Sequence, residues 1–205
     1  MHHGERFNSI SHLVGAGLAV AGSAVLVVLA ARLGDPWKIV SFSVYGAMLV
    51  ALYVFSTLYH SMRGSAKNVL RKFDHCGIYL LIAGSYTPFA LVSLRGPWGW
   101  SLFGAVWTLA VLGIVQELWL AKGARVLSLI IYVVMGWLAV VAVAPLWAAL
   151  EPAGFAWLLT GGALYTIGIA FYATDSKLRH GHGVWHLFVL GGSTCHFFTV
   201  LFHVA

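Results

Sequence analysis

Apolar runs of about 20 residues, repeated from one end of this chain to the other, leave few ways for it to fold. They lie at roughly Ile10–Ala31, Ile39–His60, Cys76–Leu94, Trp98–Leu120, Val126–Leu146, Phe155–Ala173 and Val184–Val204. Each is long enough to cross a hydrocarbon layer of about 30 Å as a helix. Sixty per cent of the residues are hydrophobic and only 9% are charged, against roughly 25% charged in a soluble domain. Water cannot be the solvent for so much apolar surface. In lipid every backbone polar group must be satisfied within the protein, so only helices or a closed barrel can span. The runs are continuous rather than alternating over ten residues, which selects helices. The expected architecture is all-α, a seven-transmembrane helix bundle, with residues 1–205 forming a single membrane domain without linker or soluble module.

Local features refine this picture. Arg95-Gly96-Pro97 reads as a tight turn that makes the third and fourth segments antiparallel neighbours. Glycines such as Gly15, Gly22, Gly161 and Gly168 suit close helix packing in lipid. Cys76 and Cys195 sit in or beside apolar segments and read as packing residues, not a disulfide. No cleavable leader is expected, because Met1–Phe7 is polar and the first apolar run is long enough to span; His2 and His3 carry no message. Nine lysines and arginines (Arg6, Arg63, Lys67, Arg71, Lys72, Lys122, Arg125, Lys177, Arg179) fall on one side of the expected topology, and three (Arg32, Lys38, Arg95) on the other. The positive-inside rule therefore puts the N-terminus and even-numbered connections in the cytoplasm and the C-terminus outside. The net charge of +6 fits basic connections lying on anionic headgroups and needs no nucleic-acid partner. Trp98 and Trp100 fit an outer aromatic belt.

That topology gathers the chemistry. His182 and His186 stand four residues apart at the start of the seventh segment, on one helical face. Neutral imidazoles in this arrangement can hold a transition metal, zinc among the commonest. His60 ends the second segment and Asp74 begins the third, both on the same side as the pair. Three histidines and an open position for water make a catalytic zinc centre, with Asp74 as acid–base partner. Ser56 lies one turn before His60 on the same face and is placed to hydrogen-bond water, Asp74 or a substrate carbonyl. Thr57 and Tyr59 are aimed less well, and His75 should point away, toward the basic connection.

The motifs Ser56-x3-His60, Asp74-His75-Cys76-Gly77-Ile78, Gly84-Ser85-Tyr86-Thr87-Pro88 and His182-x3-His186, with Glu5-x2-Asn8-x3-His12 ahead of them, resemble the progestin and adipoQ receptor (PAQR) family in its bacterial hemolysin III branch. The resemblance covers nearly the whole chain. It implies seven helices around a zinc ion near the cytoplasmic face, held by His60, His182 and His186. It implies Asp74 at the zinc's water, with Ser56 in support. Because the wider superfamily includes alkaline ceramidases, it also implies hydrolysis of a lipid amide or a related lipid bond, with a part in membrane-fluidity homeostasis. The long N-terminal region of the receptor members has no counterpart here, which favours the bacterial branch.

Each residue also has a purely structural reading. The histidine pair can cap a helix, His60 can sit at the interface, and Asp74 can serve the helix dipole or pair with Arg71 or Lys72. Asn8 or Ser9 can cap the first segment, while His12 lines the inner mouth. His196 lies too deep to share the metal and is expected to bond a neighbouring helix or line a lipid cavity. His203 reads as interfacial. Gln116, Glu117 and Asp175 are expected to need no special role, and Pro88 and Pro145 to kink their helices. Three function classes follow: a zinc hydrolase fed with membrane lipids from the bilayer, a sensor with structural zinc, and a pore or transporter. The pore is disfavoured by the scarcity of mid-depth polar residues in the fourth to sixth segments.

Overall fold

The computed structural model describes residues 4–120 and 126–205. Among them every regular element is helical. Helix α1 runs Arg6–Leu33 and stops at Gly34, whose φ of 66° supplies the left-handed residue that ends a helix. Helix α2 spans Pro36–Ser61; Asp35 Oδ1 accepts from the backbone N–H groups of Trp37 (2.8 Å) and Lys38 (3.3 Å), and Pro36 fills the first helical position. Helix α3, Gly64–Pro88, begins well before the Cys76 expected from hydropathy, because Lys67, Asn68, Arg71 and Lys72 lower the hydropathy of its first ten residues, which are nonetheless helical. Pro88 has no N–H to give to the turn below it, and the chain widens into a π turn over Phe89–Ser93.

The expected tight turn follows, with Gly96 at φ 129°, and α4 covers Pro97–Val115 before a second π turn at Gln116–Leu120. The antiparallel pairing of α3 and α4 is seen in the bond from Trp107 Nε1 to Thr87 Oγ1, 3.2 Å. Lys122 and Arg125, part of the charge argument, lie outside the described residues, as do His2 and His3.

Helix α5 is short, Val126–Gly136, and tightens into a 3₁₀ stretch at Leu138–Ala142 just ahead of Pro145. Helix α6, Val143–Ala173, follows. By length and composition six helical stretches can cross a membrane, and one of them is the 48-residue Val126–Ala173. That stretch is not straight. Glu151 leaves the helical region at φ 57°, ψ 168°, with Pro152 starting a new helical limb. Trp137 Nε1 donates to Thr166 Oγ1 at 3.0 Å, although the two would stand roughly 40 Å apart along an unbroken helix. The chain therefore doubles back at Glu151. Helix α7, Gly181–His203, closes the bundle.

Helix α1 packs on α2 and α7, α2 on α3, α3 on α4 and α5, and α6 on α7, so the helices form a ring. Close approach depends on small residues: a Cβ on Gly15 would collide with the Tyr53 ring of α2. Large apolar side chains turn outward, with Leu18 63% and Phe202 66% exposed, as a lipid-facing surface requires. Cys76 and Cys195 are free and buried, as expected.

Candidate functional site

The expected convergence occurs at one end of the ring. His60 closes α2, His182 and His186 open α7, and Asp74 lies on α3. The His60 ring is 5.0 Å from each of the His182 and His186 rings, centroid to centroid. One ligand nitrogen from each of the three histidines lies within 4.8 Å of the others. His60 and His186 are almost fully buried. Three imidazoles gathered in this way could hold a metal ion.

The tautomers are legible from the partners. His60 Nδ1 donates to Glu5 Oε2 at 2.5 Å. His182 Nδ1 donates to Asp175 Oδ2 at 3.0 Å. His186 Nδ1 donates to the Asn8 carbonyl at 3.0 Å and lies 3.1 Å from Ser11 Oγ. A carboxylate or carbonyl can only accept, so each Nδ1 acts as the donor, and in the neutral ring Nε2 is then the atom with a lone pair to offer. Nε2 of His60 is buried without any partner. Metal-ligating histidines are commonly held in this way, with a carboxylate or carbonyl oxygen on the ring nitrogen that faces away from the metal.

These supporting groups were largely missed by sequence reasoning. Asp175 is not a bare helix-end charge but the acceptor for His182. Asn8 and Ser9 do not cap α1. Asn8 Nδ2 donates to Glu5 Oε2 (3.0 Å), and the Ser9 and Ser61 hydroxyls bond each other at 2.6 Å. Glu5 also accepts from Lys67 Nζ at 2.9 Å. The hydrogen bond from His60 is the main cause holding the Glu5 carboxyl well below the usual carboxylate range; partial burial opposes it, and Lys67 and Asn8 reinforce it. The Glu5-x2-Asn8 spacing was the one available signal.

Asp74 and Ser56 line a cavity below the imidazoles together with His12, His182 and His186. The cavity encloses about 1070 Å³ unfilled by protein atoms, its mouth included. Asp74 is buried and, among the described residues, forms no salt bridge with Arg71 or Lys72. His12 stacks on His186, ring centroids 3.5 Å apart, and both its ring nitrogens are buried without a hydrogen-bond partner. Thr57 turns back to the Tyr53 carbonyl, and Tyr59 packs under Lys67. His75 does not reach the basic connection. It forms a buried pair with Glu117 at 2.6 Å, within a network that includes Ser128 and Gln116. Gln116 and Glu117, expected to need no role, therefore tie α3, the second π turn and α5 together.

Apolar helices with lipid-facing outer surfaces, ringed around a buried polar cluster at one end, define a multi-pass helical membrane protein. The chain belongs to the haemolysin-III-related family, whose sequence profile matches residues 1–197. It is 44% identical over 198 residues to hemolysin-3 of Bacillus cereus, covering 96% of this chain and 90% of that protein. It is 45% identical over 197 residues to a hemolysin-3 homolog of Bacillus subtilis, covering 96% and 92%. The human monocyte to macrophage differentiation factor is 29% identical over 189 residues, covering 89% of this chain and 76% of its own. The resemblance drawn from the motifs is thereby borne out.

Proposed function

We propose that this protein is a zinc-dependent hydrolase of membrane lipid amides, working at the cytoplasmic face of the plasma membrane in lipid and fluidity homeostasis. The observation that carries the reading is the common support of the three histidines. Each Nδ1 meets a carboxylate or carbonyl oxygen, and one nitrogen from each ring lies within 4.8 Å of the others, at the head of an apolar cavity lined by Asp74 and Ser56. Three neutral nitrogens fit zinc in ligand type and number and leave a coordination position open. A zinc ion held by His60, His182 and His186 would supply the Lewis acidity that makes water nucleophilic near neutral pH.

The chain's own groups do the rest. Asp74 takes the proton of the attacking water and returns it to the leaving nitrogen. The Ser56 hydroxyl donates to the substrate carbonyl as charge builds there. His12 offers a further buried imidazole to the head of the substrate. The hydrocarbon lies in the cavity, entering sideways from the bilayer. Counting the two limbs of Val126–Ala173 separately gives seven crossings in one domain, with the N-terminus inside and the C-terminus outside. The relatives' name, hemolysin, would suit a pore, but a chamber walled chiefly by apolar side chains suits a lipid chain better than an ion.

The test is lipidomics of membranes incubated with purified wild-type protein and with Asp74→Ala, zinc being measured on both. The expected outcome is an amide lipid that falls as fatty acid rises with the wild type alone, at equal zinc content. Equal turnover by Asp74→Ala rejects the assignment of Asp74, and no turnover by zinc-loaded wild type rejects the hydrolase.

A further inference from the structure

The cavity under the imidazoles does not end at mid-depth. Ser85, Tyr86, Gly136, Trp137, Gly162 and His196 line both it and a second chamber that continues toward Phe155, near the Glu151 reversal. These six residues form a waist between two apolar spaces. The side-chain donors of the waist are spoken for. Ser85 Oγ donates to the Ile82 carbonyl at 2.8 Å, Tyr86 OH to the Gly136 carbonyl at 2.8 Å, and Trp137 Nε1 to Thr166.

His196 also has its donor engaged, but it keeps an unmatched acceptor. Its Nε2 lies 3.3 Å from the Leu158 carbonyl. A carbonyl only accepts, so Nε2 carries the proton and Nδ1 is a bare acceptor. Nδ1 is shut off from solvent and has no partner. The opposite edge of the ring, Cδ2 and Nε2, is seated on Gly161 of α6, where an added Cβ would strike it. The ring is thus held with one acceptor unmatched, which a folded interior rarely tolerates.

We propose that the waist is a specificity subsite: His196 Nδ1 accepts a hydrogen bond from a hydroxyl carried on the hydrocarbon chain of the bound lipid. The subsite rests on the reading above that the cavity takes a lipid with its head at the imidazoles. His196 follows His186 by ten residues on α7, which sets the hydroxyl about 15 Å below the head. A resident water is a poorer match. It needs two to four polar partners, and the other donors here are already engaged, whereas a chain hydroxyl is carried to the waist by the burial of the chain itself.

The experiment measures retention of octadecanoic acid and its positional monohydroxy isomers by purified full-length protein in detergent, read by native mass spectrometry. Isomers whose hydroxyl reaches the waist should be retained about fivefold better than the unsubstituted acid or isomers hydroxylated near the carboxyl, the effect of one buried hydrogen bond. His196→Leu and His196→Phe should lose the preference while still retaining octadecanoic acid, which also reports that each variant is folded. His196→Gln, which keeps an acceptor oxygen, should retain part of it. A flat profile in the wild type overturns the subsite, as does an undiminished preference in a folded His196→Leu or His196→Phe protein, or no retention of any chain. Fatty acids are not cleaved, so the outcomes separate. A preserved preference without amide hydrolysis removes only the catalytic reading, and hydrolysis with a flat profile removes only the subsite.

Discussion

The Glu5 carboxylate meets His60, Lys67 and Asn8 just outside the first helix. Its affinity for protons is depressed, so it stays ionised in cells and contributes stability above the ordinary carboxylate range. That contribution is lost only as pH falls through the lower folded value. An ionised acceptor on Nδ1 makes His60 a better ligand at Nε2. Replacing Glu5 by alanine is therefore expected to weaken zinc binding about 10- to 100-fold, measured by chelator competition on the purified protein, with Glu5→Gln losing less. His186→Ala should abolish stoichiometric zinc. Unchanged affinity in Glu5→Ala would show that the carboxylate gives His60 no support, and full occupancy in His186→Ala would remove His186 from the ligand set. The clustering of His60, His182 and His186 was legible in the sequence, because a four-residue spacing and helix-end positions are properties of the chain. Their acceptors were less so. The Asn8 backbone carbonyl has no signature in a side chain, and Asp175 sits in a charged connection where an acidic residue excites no suspicion.

At the level of the element, the reversal at Glu151 is the least regular part of the fold. A side chain with a Cβ is held there at φ 57°, ψ 168°, a region in which glycine is almost alone and other residues are strained by about 1–3 kcal/mol. Glu151→Gly should relieve that strain, less the extra freedom glycine gives the unfolded chain, for a net gain of about 1 kcal/mol. Glu151→Ala keeps the Cβ and should gain nothing of this kind. Thermal unfolding of the two variants in detergent separates relief of backbone strain from loss of the charge, and equal melting temperatures would refute it. Apolar run length located the helices because lipid demands it, but it could not see the first ten residues of α3. Lys67, Asn68, Arg71 and Lys72 carry no hydropathy signal, and the helix nonetheless extends through them. Run length did leave room for the reversal, since the fifth run ends at Leu146 and the sixth begins at Phe155, but the backbone angle at Glu151 is set by the two limbs meeting. The Tyr53–Ser193–Tyr165 bonds that tie α2, α7 and α6, 2.8 Å each, were likewise invisible until the helices were side by side.

For the molecule as a whole, the two ends of the chain lie at opposite ends of the bundle. Glu5 reaches His60 at the cluster, while His203 packs over Gly154 beside the reversal. An odd number of crossings follows from this arrangement, provided the bundle stands across the bilayer. The connections at the cluster end hold most of the lysines and arginines, so by the positive-inside rule that end is expected to face the cytoplasm. Arg32 and Lys177 are exposed, one in the last turn of α1 and one in the connection between α6 and α7, whereas the native Cys76 and Cys195 are buried and give little background. In intact cells a membrane-impermeant maleimide should label Arg32→Cys, and should reach Lys177→Cys only after permeabilisation. The reverse pattern would invert the protein and place the site in the outer leaflet. Labelling of both in intact cells would mean that Val126–Ala173 crosses once. That would carry His182 to the face opposite His60, and the 5.0 Å approach of those two rings makes it the outcome the fold opposes most directly. With the expected pattern, a lipid acted on at the cluster would come from the cytoplasmic leaflet.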